Sequence, residues 1–266
     1  MTCEPRWLTV GDQSIFVGDC LDLLSALAPE SVDVVVTSRP YNLGIGYLGY
    51  DDRRPREEYL GWMRDVAQRL QRVLTRDGAI FLNVGASGAD PWVSMDVAQA
   101  FRQHFVLQNR IAWIKSISIG DDTVGHFKPI NSHRYLNHNH EDVFHFTKDG
   151  GARIDRLSIG VPFKDKSNIA RWGHDRDRRC AGNTWFIPYE TVRSKRQKHG
   201  HPAGFPLDLP RRCLLMHGKL DGVVLDPFLG AGTTLVAARD LGMRGIGCEV
   251  DPTYAETARD RLLAAS

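Results

Sequence analysis

The 266-residue chain predicts an α/β fold, a mostly parallel sheet with helices on both faces. Three observations predict it. Val32 to Val36 is an unbroken apolar run between Ser31 and Thr37, as a strand buried on both faces requires. Val223 to Leu225 is a second such run, followed by Gly230 and Gly232 and then by a helical stretch from Thr233 to Leu241. Leu60, Met63, Val66, Leu70 and Val73 recur with helical spacing over Glu57 to Leu74, so helices alternate with strands.

The remaining elements follow in order. Ile15 to Val17 is a short strand, and Gly18-Asp-Cys-Leu-Asp-Leu-Leu24 opens a helix with Leu21, Leu24 and Leu27 on one face. Ala79 to Val84 is a buried strand after the Asp77-Gly78 turn, Val93 to His104 a helix, and Phe105 to Trp113 a further strand ending near Lys115. Periodicity is lost from Ser116 to His140, returns as a strand over Glu141 to Thr147, and is lost again from Lys148 to Gly182. Trp185 to Pro188 is a short apolar element, and Leu207 to His217 a helix. Residues 1–115 and 183–266 are thus expected to form the main domain, with 116–182 as an irregular insert.

Charge is distributed unevenly. The whole chain has 34 Lys and Arg against 32 Asp and Glu, yet Ile111 to Arg212 holds 18 against 11 and eight of the ten histidines. That centre is suited to a polyanion, with Arg171, Arg176, Arg178, Arg179, Lys195, Arg196 and Lys198 as candidate contacts. Five cysteines without a CxxC pair suit reduced thiols in a cytoplasmic protein, and no signal peptide or long apolar span is visible. His133, His138, His140 and His145 lack the spacing of a metal site, so no metal is expected.

The glycine turn carries the chemistry. Glycines between a strand and a helix let the backbone approach a ligand and present N–H groups at a helix N-terminus. Glu249 ends the next strand, 17 residues after Gly232, where a doubly wound sheet places the carboxylate that holds ribose hydroxyls. Leu235 stands where a dinucleotide fingerprint has its third glycine, and Asp226 directly before the turn would repel a pyrophosphate but suit a cation.

Asp226-Pro-Phe-Leu-Gly-Ala-Gly-Thr-Thr234 resembles the S-adenosylmethionine motif of DNA amino-methyltransferases. Thr37-Ser-Arg-Pro-Tyr41 resembles their Ser-Pro-Pro-Tyr motif, with Arg39 in place of the first proline. His201-Pro-Ala-Gly-Phe-Pro206 resembles the segment beside the methionine end of the cofactor, and Gly18-Asp19-Cys20 the segment near its adenine. The order of these motifs matches the circularly permuted β class, and the likeness runs from about Ile15 to Leu263.

The resemblance implies a Rossmann-like class I methyltransferase sheet whose inserted region recognises a DNA target. It implies S-adenosylmethionine held by Asp19, Cys20, Thr37, Pro206, Asp226, Phe228, Gly230, Gly232, Thr233 and Glu249. It implies catalysis by Ser38, Arg39, Pro40 and Tyr41 on a base flipped out of double-stranded DNA, with Lys115 beside the base and a homodimer as one possible assembly. Serine at the first motif position resembles N4-cytosine enzymes more than N6-adenine enzymes, which usually carry aspartate there. N6-adenine methylation and a DNA-binding form impaired by Arg39 are the alternatives. Arg39 would add a cation near a sulfonium, and restoring proline there is expected to raise turnover. Cys20 and Cys248 read as small buried hydrophobes rather than nucleophiles.

Overall fold

The computed structural model describes residues 6–40, 54–125, 132–171, 173, 175–188 and 204–264. Strands β1 (Arg6–Val10) and β2 (Gln13–Val17) form a hairpin, followed by α1 (Cys20–Ala26), β3 (Val32–Ser38), α2 (Arg56–Val73), β4 (Leu74–Val84) and α3 (Val93–Arg102). Next come β5 (Val106–Ile114), the small hairpin β6 (Ser116–Ile119) and β7 (Asp122–Gly125), β8 (His140–Thr147), α4 (Ser167–Arg171) and β9 (Thr184–Phe186). The chain ends with α5 (Asp208–His217), β10 (Val223–Asp226), α6 (Thr233–Asp240), β11 (Arg244–Glu249) and α7 (Pro252–Ala264).

Nine strands make one sheet in the order β1-β2-β11-β10-β3-β4-β8-β5-β9. The pairs from β2 through β4 are parallel, whereas β8 runs antiparallel between β4 and β5. The pairing of β3 with β10 brings together the two apolar runs that predicted the fold: Val34 and Val35 lie against Val224 and Leu225. Both strands are central, so their carboxyl ends open side by side on one edge of the sheet, where open α/β folds bind ligands.

Alternation along β3 divides the core. Val35 faces α1, α2 and α3 together with Leu24, Met63, Leu70 and Phe101, while Val34 and Val36 face α5 and α6 with Cys213, Leu214 and Ala237. Each fully buried aliphatic side chain of this kind contributes roughly 1.5–3 kcal/mol relative to exposure. A third cluster packs α7 against α6 and β2 through Ala255, Ala258 and Leu262. Among the described residues, no helix is long and apolar enough to cross a membrane.

Several details differ from the sequence reading. Helix α1 buries Cys20, Leu23 and Leu24, whereas Leu21 and Leu27 are only half-buried at the edge of its face. Strand β4 starts at Leu74, because the chain stays extended through Asp77-Gly78; a Cβ at Gly78 would sit 2.8 Å from the Asp33 carbonyl. Strands β1, β6 and β7 and helix α7 were not expected. The buried face of α7 is mostly alanine, which leaves little hydrophobic periodicity to read. Strand β8, within the expected insert 116–182, lies in the middle of the sheet between β4 and β5.

His145 on β8 and His217 at the end of α5 are both buried, and burial lowers each pKa to about 4. His145 stacks on Phe81 at 4.6 Å and hydrogen-bonds Asn109 at 2.9 Å, so it is a packed core residue.

Candidate active site

At the carboxyl ends of β2, β11, β10 and β3 a cavity is lined by Asp19, Cys20, Ser38, Arg39, Pro40, Asp226, Phe228, Gly230, Thr233 and Glu249. These ten positions were expected in the site from sequence, and the fold brings them together from segments as far apart as residues 19 and 249. Gly18, Arg54, Trp62, Phe205, Cys248, Asp251 and Tyr254 line it as well.

The β10 side is built from a tight turn. Gly230 and Gly232 adopt φ of 54° and 82°, a left-handed conformation that side-chain-bearing residues rarely take. At Gly232 an added Cβ would also fall 2.8 Å from the Cβ of Ala258, so α7 packs directly behind the turn. Arg261 of α7 donates from Nη1 to the Ala231 carbonyl, and to the Thr233 hydroxyl at 3.1 Å. Gly232 therefore shapes the turn from behind.

Of the carboxylates that line the cavity, Asp226 and Glu249 stand at the ends of β10 and β11. Asp226 is 1% exposed and accepts the Thr37 hydroxyl at 2.6 Å and the Phe228 N–H at 3.1 Å. Burial raises its pKa to about 6 against those hydrogen bonds. Thr37 thus meets Asp226 instead of lining the cavity. Glu249 accepts the Gly230 N–H at 2.8 Å and the Asp251 N–H at 2.9 Å, and burial raises its pKa to about 7. Asp19 caps α1 through the Leu21 N–H at 2.7 Å. Burial pushes the thiols of Cys20 and Cys248 well up, so neither is a thiolate nucleophile at neutral pH. Phe228 packs on Trp62 with ring centroids 5.4 Å apart, and the Arg54 guanidinium lies 5.1 Å over the Trp62 ring. Pro206 was expected here, but Gly204 and Phe205 line the cavity; the Pro206 carbonyl accepts the Leu209 N–H at 3.1 Å where α5 begins.

The β3 side holds Ser38, Arg39 and Pro40. Arg39 is 2% exposed, and its guanidinium donates to the Pro40 carbonyl at 2.9 Å, the Tyr59 hydroxyl at 3.1 Å and the Gly85 carbonyl at 3.2 Å. Its charge is thus spread over three oxygen atoms at the cavity wall. Tyr41 lies outside the described residues.

Beside Ser38 is a polar group that sequence reasoning missed. Asn83 Nδ2 lies 3.5 Å from Ser38 Oγ and donates to Glu141 Oε2 at 2.8 Å, while Lys115 Nζ donates to Glu141 Oε1 at 2.8 Å. Lys115, expected beside the base, makes this ion pair at the strand ends. Asn83 sits inside the apolar run of β4 and Glu141 at the polar start of β8, and neither position marks a site along the chain. Trp62 gave a better signal, a tryptophan beside the apolar stripe of α2.

Arg171, Arg176 and Arg179 are exposed. Arg178 is also exposed, but its guanidinium braces the Gly160 carbonyl at 2.5 Å, which ties it to its own loop. Lys195, Arg196 and Lys198 lie outside the described residues. Among the described residues, no group of three His, Cys, Asp or Glu could hold a metal ion.

This sheet order, with its antiparallel β8 and a cavity at the parallel strand ends, is the fold of class I methyltransferases. Residues 32–260 match the DNA methylase family N6_N4_Mtase, and the chain belongs to that family. It is 29% identical to the type II methyltransferase M.BglII of Bacillus subtilis over 92% of this chain and 67% of that one. It is 26% identical to the DNA adenine methyltransferase YhdJ of Escherichia coli K12 over 99% of this chain and 87% of that one. In structure it is similar to the cytosine-N4-specific PvuII DNA methyltransferase, with a TM-score of 0.72, 20% identity and coverage of 95% and 87%. It is also similar to TTHA0409 of Thermus thermophilus, solved with S-adenosyl-L-methionine, with a TM-score of 0.63, 27% identity and coverage of 93% and 92%. S-adenosylmethionine is the cofactor of this family. The cavity fits it, since the carboxylates of Asp226 and Glu249 suit hydroxyl groups and a cation and oppose a phosphate.

Proposed function

We propose that the chain methylates the exocyclic N4 of cytosine within a short sequence of duplex DNA. The observation that carries this reading is the meeting of Ser38 with Asp226 and Glu249 around one cavity, through the pairing of β3 with β10. In this reading Asp226 faces the cofactor's ammonium side, Glu249 takes its ribose hydroxyls, and the glycine turn leaves room for its body. When bound, S-adenosylmethionine supplies an electrophilic methyl group.

A base amine is a weak nucleophile because its lone pair is delocalised into the ring. Acceptors that draw on its N–H bonds favour the more tetrahedral nitrogen of the transition state. The Ser38 hydroxyl and the Arg39 carbonyl serve as these acceptors. Arg39 precedes a proline, which holds its backbone extended and its carbonyl in a fixed direction. Its side chain adds bracing: Arg39 Nη1 and the Tyr59 hydroxyl both donate to the Pro40 carbonyl, at 2.9 and 3.1 Å. The segment therefore keeps a fixed shape with arginine where relatives of the Ser-Pro-Pro-Tyr type have proline. Tyr41 would stack on the flipped base, and Arg171, Arg176 and Arg179 would contact phosphates from the insert.

Similarity to YhdJ favours N6 of adenine as a second reading. Mass spectrometry of nucleosides from DNA treated with the protein separates the two. N4-methylcytosine is expected; N6-methyladenine would transfer the assignment to the second reading, and 5-methylcytosine or no product would overturn the reaction.

A further inference from the structure

We infer that Asn83, fixed by Glu141 and Lys115, is a positioning residue for the Ser38 hydroxyl. The inference rests on the reading of Ser38 as an amine acceptor and goes beyond it to what aims that group.

Strand register puts these residues on one face. Ser38 on β3 is the direct partner of Asn83 on β4, and Asn83 is the partner of Val143 on β8, two residues beyond Glu141. Glu141 is in turn the partner of Trp113, two residues before Lys115. Partners and their diagonal neighbours share a face, so β3, β4 and β8 and the residue just beyond β5 bring one side chain each to the same face. The contacts then run Lys115 to Glu141 at 2.8 Å, Glu141 to Asn83 at 2.8 Å and Asn83 to Ser38 at 3.5 Å.

The Asn83 amide has a defined orientation. A carboxylate accepts and does not donate, so the Nδ2 end must face Glu141, which also brings Nδ2 toward Ser38 Oγ. Asn83 is 2% exposed, and its amide oxygen has no hydrogen-bond partner among the described residues. That oxygen is a buried acceptor, free for an incoming hydrogen, on a side chain that lies beside Ser38.

Gly85 joins this group to the cavity. A Cβ there would lie 3.0–3.2 Å from the Glu141 carboxylate, and the Gly85 carbonyl accepts from Arg39 at 3.2 Å. Glu141 thus stands between two cations, Lys115 and Arg39, with one glycine separating it from the second.

The test compares Asn83→Ala and Asn83→Asp in the full chain, with S-adenosylhomocysteine binding and thermal melting measured alongside turnover on DNA. Asn83→Ala is expected to lower kcat at least tenfold while leaving S-adenosylhomocysteine affinity within twofold. Asn83→Asp sets two carboxylates against each other, and a proton is needed to restore the donated hydrogen bond. Its activity relative to wild type should therefore rise at least fivefold from pH 8.5 to pH 6. A wild-type kcat in Asn83→Ala, a loss that follows cofactor affinity, or a flat pH ratio in Asn83→Asp would overturn the inference. If Asn83→Ala fails to fold, the pH ratio of Asn83→Asp decides alone. A wild-type enzyme that methylates adenine would change the substrate and leave this test intact, because the reacting group is again an exocyclic amine.

Discussion

The two walls of the cavity are built on different principles. The β10 and β11 wall comes from one stretch, Asp226 to Glu249, and its carboxylates accept backbone N–H groups in or next to that stretch, with the Thr37 hydroxyl of β3 added at Asp226. The β3 wall is assembled from side chains on β3, β4 and β8 and from Lys115 just beyond β5, with Arg39 braced on residues up to 46 positions away. A wall made of local backbone is set by the turn itself. A wall made of remote side chains exists only once the sheet has formed.

The largest effect should come from breaking the local wall. Asp226→Ala removes a buried acceptor and leaves the Thr37 hydroxyl and the Phe228 N–H without it. Hydrogen bonds to a charged group contribute about 1.5–3 kcal/mol, so cofactor affinity should fall roughly 100-fold in calorimetry with S-adenosylhomocysteine. DNA affinity should stay near wild type. Equal losses of both ligands would show that the two walls are one unit.

Arg39→Pro tests the assembled wall. The sequence alone led to the expectation of higher turnover, because proline restores the common motif and removes a cation. The structure adds a cost: the Gly85 and Pro40 carbonyls and the Tyr59 hydroxyl all lose the guanidinium. Unsatisfied buried groups cost about 1–3 kcal/mol each, less whatever water recovers. The melting temperature should drop by roughly 5–10 °C, since about 2–4 °C accompanies each kcal/mol in a domain of this size. Turnover per folded molecule should match or exceed wild type, and a variant as stable as wild type would show that Arg39 braces nothing.

This contrast also explains what the sequence disclosed. The glycine turn, Asp226 and Glu249 were legible because a fixed spacing along the chain fixes their geometry, and the apolar runs of β3 and β10 predicted the central sheet. Asn83 and Glu141 were not legible as a site, since their meeting with Ser38 depends on register between strands far apart in sequence. The partner of Lys115 was hidden for the same reason: a lysine at a strand end gives no sign of the carboxylate on the neighbouring strand that pairs with it. Helix α7 escaped notice because alanines that fit closely against a glycine turn carry little hydrophobic signal, although Ala258 and Arg261 support that turn.

The smallest effect is a pH dependence of the local wall. Burial raises Glu249 to a pKa of about 7, and a carboxylate accepts ribose hydroxyls best when ionised. Cofactor binding should therefore weaken as pH falls through 7. About nine-tenths of the group is ionised one unit above its pKa and one-tenth one unit below, so affinity for S-adenosylhomocysteine should drop about tenfold from pH 8 to pH 6. Asp226, raised to about 6, adds a further loss of about twofold at the lower end. Glu249→Gln should bind more weakly at pH 8 yet show only the shallower slope that Asp226 leaves. A wild-type affinity that does not change across this range would remove Glu249 from the ribose and leave it as a brace for the Gly230 and Asp251 amides alone.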